Sequence, residues 1–99
     1  MLEINEKEFD KYIDGKIVFL YFTAEWCSAC KFVSPIMEEI SKIQNVLKID
    51  CDDLRSIVNF YGVKNLPTII LLDDTEEVKR FVGVISKDKI LEALNIKKV

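Results

Sequence analysis

The chain has 99 residues, 49% of them hydrophobic and 31% charged, with a formal net charge of -3. That length builds one core and not two, so a single domain over residues 1–99 is expected. The composition excludes a disordered chain, and the 14 basic residues do not gather into one run, so nucleic acid is not an expected partner.

The first residues, Met1 to Glu8, lack the basic region and apolar run of a secretory leader. The longest apolar candidate, Ile17 to Phe22, falls short of the roughly 18 residues of a membrane span. The expected location is therefore cytoplasmic, with no membrane contact. In that compartment three cysteines argue against a structural disulfide framework and fit better with one working pair and one spare thiol.

Asn5 and Glu8 have the spacing of a capping box, and Phe9, Tyr12 and Ile13 continue at helical intervals until Gly15 ends the helix. Lys16 to Thr23 is a nearly unbroken apolar and β-branched run, which predicts a central strand buried on both faces. Beyond Trp26-Cys27-Ser28-Ala29-Cys30-Lys31, residues Val33, Ile36, Met37, Ile40 and Ile43 trace one face of a helix to about Lys42 or Ile43. Pro35 falls inside that helix, removes one hydrogen bond and should kink it.

Val46 to Asp50 reads as a second buried strand, and Asp53 to Tyr61 as a short helix stopped by Gly62. Thr68 to Leu72 and Glu77 to Val82 read as strands of a hairpin turned at Asp73-Asp74-Thr75. Ser86 caps a last helix that turns Ile90, Leu91 and Leu94 to the sheet. The order predicts an α/β fold, a mixed central sheet with helices on both faces.

The chemistry concentrates at the two cysteines separated by Ser28-Ala29. A turn at a helix start can bring such thiols together, and the unpaired N–H groups and dipole there favour a thiolate. Cys27, at the exposed end, is the candidate nucleophile. Cys30, one turn further in, is placed to attack a mixed disulfide formed at Cys27. A CxxC can also be half of a zinc site, but the chain has no histidine and Cys51 is its only other thiol, so no metal is expected.

These residues resemble the thioredoxin family, whose usual motif is Trp-Cys-Gly-Pro-Cys-Lys. Ala24-Glu25-Trp26 before the motif, Pro35 after it, Tyr61-Gly62-Val63-Lys64-Asn65-Leu66-Pro67-Thr68 and Val82-Gly83 extend the likeness over nearly the whole chain. The resemblance implies a thioredoxin fold and a protein-disulfide reductase with no cofactor beyond a Cys27–Cys30 redox disulfide. It further implies recharging by a thioredoxin reductase, disulfide-containing client proteins, and a monomer. Leu66-Pro67 matches the family's cis-proline, and Trp26, Leu66, Pro67, Gly83 and Val84 would line a shallow groove that pairs with a client's backbone.

Two departures bear on mechanism. Ser28 and Ala29 replace Gly-Pro, the dipeptide through which the family tunes its potential. Tyr21 stands where many thioredoxins bury an aspartate, and tyrosine, with a reference pKa of about 10, is a poor base at neutral pH. Either water or the departing thiolate would then take the Cys30 proton, or resolution would be slower. Glu25 and Lys31 beside the motif read as solvated charges, Lys31 remaining a candidate modulator. Cys51 lies among Asp50, Asp52 and Asp53, which should raise its pKa, and reads as structural, with regulatory oxidation as the other reading. Other functions that the pattern admits are an oxidant or isomerase on the same fold and a non-catalytic interaction module.

Overall fold

The computed structural model describes residues 1–95. Its centre is β2 (Ile17–Thr23), with Val18 to Thr23 all buried. Side chains alternate across a strand, so this run feeds two cores. Val18, Leu20 and Phe22 enter one with Phe9, Ile13 and Ile57; Phe19 and Tyr21 enter the other with Val33, Met37, Ile40 and Ile90. From Val18 to Phe22 every position is hydrophobic, as burial on both faces requires, and the polar Thr23 is buried at the end of the strand. Each of the larger side chains contributes roughly 1.5–3 kcal/mol by leaving water.

The helices follow from these cores: α1 (Phe9–Ile13) and α3 (Arg55–Tyr61) cover the first, α2 (Cys30–Ile40) and α4 (Lys87–Glu92) the second. Strands β1 (Leu2–Glu3), β3 (Val46–Asp50), β4 (Thr68–Asp73) and β5 (Glu76–Val82) complete a sheet in the order β1-β3-β2-β4-β5. β2 runs parallel to β3 and antiparallel to β4, with Thr23 opposite Asp50 and Phe22 opposite Thr68. The α/β architecture expected from the sequence is therefore present, with helices on both faces.

Local signals act as their chemistry predicts. The Asn5 side chain accepts from the Glu8 N–H, Ser86 accepts from the Lys89 N–H, and Gly62 ends α3 in the left-handed region at φ 64°. The hairpin turn places Asp74 and Thr75 at positive φ, and the Asp74 carboxylate receives the Gly15 N–H at 2.8 Å.

The hairpin strands each run one residue further than expected, to Asp73 and from Glu76, and larger departures lie at α2, α3 and β1. α2 ends at Ile40 and the chain continues as turns, so Ile43 is 70% exposed instead of joining the apolar face. α3 begins at Arg55, because Asp52 and Asp53 are taken up in a turn closed by the Asp53 and Leu54 N–H groups on the Asp50 carbonyl. β1 had no signal: its two residues are both exposed, and backbone pairing beside β3 (Leu2 with Leu47, Glu3 with Lys48) makes it a strand.

Candidate active site

The sheet register gathers one edge. Residues that follow β2 must lie beside those that precede β4, because Phe22 pairs with Thr68, and beside those that follow β5, because Thr68 pairs with Val82. That edge carries the CxxC loop, Leu66-Pro67 and Gly83-Val84. The Leu66-Pro67 peptide bond is cis, and the Gly83 N–H donates to the Pro67 carbonyl at 2.9 Å. Gly83 takes φ 94°, a conformation that side chains other than glycine's resist.

Cys27 and Cys30 form a disulfide with their Cα atoms 5.4 Å apart, at the start of α2. The Cys30 N–H, one of the N-terminal donors left without a helical partner, points at Cys27 Sγ at 3.2 Å. After reduction the same donor would favour the thiolate at Cys27. Neither residue stands out from the surface: Cys27 is 6% exposed and Cys30 3%, against the expectation that Cys27 occupies an exposed end. Ser28 is exposed and Ala29 half-buried, and their carbonyls accept the Lys31 and Phe32 N–H groups.

Trp26 is 68% exposed and its indole N–H donates to the Asp52 carboxylate at 3.0 Å. Leu66 is half-buried, Pro67 buried, Gly83 half-buried and Val84 exposed. Glu25 and Lys31 are both exposed.

Tyr21 is fully buried beneath the motif. Its hydroxyl bonds the Cys30 carbonyl at 3.1 Å and Ser34 Oγ at 2.7 Å, so the ring pins the first turn of α2. Cys51 is buried and its pKa is pushed up to about 11, first by burial and then by the Asp50 and Asp52 charges. It is a neutral thiol at neutral pH. Among the described residues, no group of three or more His, Cys, Asp or Glu side chains could hold a metal ion, and no helix is long and apolar enough to cross a membrane.

Sequence reasoning missed Asp52 as the partner of Trp26 and Ser34 as the partner of Tyr21. Neither contact has a periodicity, since each joins elements brought together only by the sheet. A polar residue at position 34, within a largely apolar helical face, was the one available signal.

A disulfide closed across a helix start, with a cis-proline segment on the same sheet edge, defines the class of dithiol–disulfide oxidoreductases. A family model described as thioredoxin matches residues 1–96. The chain is 35% identical over 95 residues to the thioredoxin of Chlamydia caviae, covering 93% of each. It is 37% identical over 98 residues to a thioredoxin H-type of Fagopyrum esculentum, covering 95% of this chain and 83% of the relative. The solved structure of a mutant thioredoxin from Halobacterium salinarum superimposes with a TM-score of 0.87 at 28% identity, covering 99% of this chain and 91% of that one. The chain belongs to the thioredoxin family and is an oxidoreductase whose redox group is the Cys27–Cys30 pair.

Proposed function

We propose that this chain works as a single-domain, monomeric cytoplasmic carrier that reduces disulfides in client proteins, with Cys27 as nucleophile and Cys30 as resolving thiol. The observation that carries this reading is the Cys30 N–H directed at Cys27 Sγ at the helix start. It singles out Cys27 as the sulfur whose negative charge is stabilised. Cys27 thiolate attacks one sulfur of a client disulfide and releases the other as a thiolate. Cys30 then attacks Cys27 Sγ, the mixed disulfide breaks, and the second client sulfur leaves. Two electrons pass to the client and the chain is left with the Cys27–Cys30 bond.

Family members typically work with a thioredoxin reductase and disulfide-containing clients, and this chain is assigned the same partners. Electrons travel on the cysteine pair itself, with no further cofactor. Trp26, Leu66, Pro67, Gly83 and Val84 form the client groove, in which backbone pairing reads extended peptide with little demand on its sequence. Ser28 and Ala29 set the potential.

Cys30→Ser tests the roles. It is expected to accumulate client proteins joined covalently to Cys27, released by dithiothreitol, whereas Cys27→Ser accumulates none. The direction of transfer is tested by equilibrating the pair in defined dithiol buffers. A potential near thioredoxin's, about -270 mV, makes the chain a reductant; a value near about -180 mV would make it an oxidant or isomerase.

A further inference from the structure

We propose that Asp50 accepts the proton of Cys30 during the resolving step, through solvent in a cleft beneath the disulfide. This rests on the proposed roles of Cys27 and Cys30. The resolving step consumes a thiolate, and Cys30 is only 3% exposed, so its proton needs a defined exit. Tyr21 does not supply it: its hydroxyl is engaged with the Cys30 carbonyl and Ser34 Oγ.

A cleft of about 490 Å³ opens between α2 and the ends of β2 and β3, with Cys30, Ser34, Thr23 and Asp50 on its walls. Lying opposite Thr23 in the register, Asp50 comes from the strand face that carries α2. Its Oδ1 accepts the Asp52 N–H at 2.9 Å, and the second carboxylate oxygen has no hydrogen-bond donor among the described residues.

The other charged groups around the cleft are committed or exposed. Lys48, on the same strand, reaches Glu3 at 3.7 Å. Glu38 is exposed and takes the Met1 amino group at 3.2 Å. Glu25 and Lys31 are exposed on the rim. Asp52 is turned to Trp26, and Cys51 is a neutral thiol. Asp50 is thus the half-buried carboxylate of the cleft, and a general base can act on a thiol across an intervening water.

The step balances without another reagent. The Cys30 S–H proton passes by way of a water to Asp50, the Cys30 sulfur forms the bond to Cys27 Sγ, and the Cys27–client bond breaks with both electrons leaving on the client sulfur. Asp50 then returns its proton to solvent.

The test is the reaction of the reduced protein with a nitroaryl disulfide, whose coloured leaving thiolate is too weak a base to take the proton itself. Attack by Cys27 and resolution by Cys30 appear as two successive releases of colour, followed by stopped flow between about pH 5 and pH 9. In the unsubstituted protein the second phase is expected to stay level, within about twofold, between about pH 6 and pH 8. Asp50→Asn keeps an oxygen for the Asp52 N–H. Its second phase should be at least about tenfold slower at pH 7 and climb about tenfold per pH unit, tracking the thiolate fraction, while the first phase is unchanged. Asp50→Glu should restore the level limb. Superimposable profiles for the Asn variant, or an equal slowing at every pH, would overturn the role of Asp50 and leave the exchange reading standing. Absence of the first phase in the unsubstituted protein would overturn both.

Discussion

At the scale of single residues, the site is built from side chains whose environments set their protonation. Cys51 is the clearest case, because burial and two neighbouring carboxylates hold its proton on. In the unfolded chain the thiol returns to an ordinary value of about 8.5. The native state therefore keeps a proton that the unfolded chain gives up. The stabilising contribution is full below about pH 8.5 and is lost as pH rises to about 11. Native oxidised protein is expected to resist alkylation at Cys51 up to about pH 9 and to react at once in denaturant. Rapid native alkylation at neutral pH would instead support the regulatory reading of this thiol. The sequence showed the charged neighbours of Cys51 but not its burial, which comes from the packing of β3 against the α1 and α3 side.

At the scale of elements, boundaries were legible wherever a side chain or glycine sets them alone. Asn5, Ser86 and Gly62 each act on atoms within a few residues: Ser86 starts α4 and Gly62 ends α3 as their types predict, whereas Asn5 caps a single 3₁₀ turn at Glu6–Glu8 and α1 begins only at Phe9, without a side-chain cap. Gly62 holds φ 64° and a Cβ added there meets nothing within 4 Å, so any cost of substitution is purely conformational. Gly62→Ala is expected to lower stability by about 1 kcal/mol, read as a reduced urea midpoint with an unchanged slope. A neutral result would mean that α3 ends by packing and not by this turn. By contrast, Ile43 fits the apolar spacing of α2 and is nonetheless exposed. Helical period alone does not stop a helix. Here the chain turns after Ile40, and the Ser41 hydroxyl donates to the Glu38 carbonyl at 2.6 Å.

At the scale of the whole molecule, the two open sheet edges decide how the chain meets its neighbours. β5 presents Glu76, Glu77, Lys79 and Arg80, and β1 is only two residues long, so neither edge offers a long apolar template for a second chain. The Arg80 guanidinium also bonds the Glu77 carboxylate and the Tyr61 carbonyl, tying the edge strand to the end of α3. Light scattering is expected to give the mass of one chain at micromolar concentration; a stable dimer would show that edge pairing or the exposed Trp26 and Val84 surface associates. By itself the sequence determined the order of the elements, the central strand and the redox pair, because hydrophobic period, caps and CxxC spacing act over short stretches of chain. Only the tertiary structure decided that Asp52 holds Trp26, that Ser34 and the Cys30 carbonyl share Tyr21, and that Asp50 lines the cleft beneath Cys30. Those relations join residues from different elements, and they exist only once strand register and the packing of α2 have set the distances.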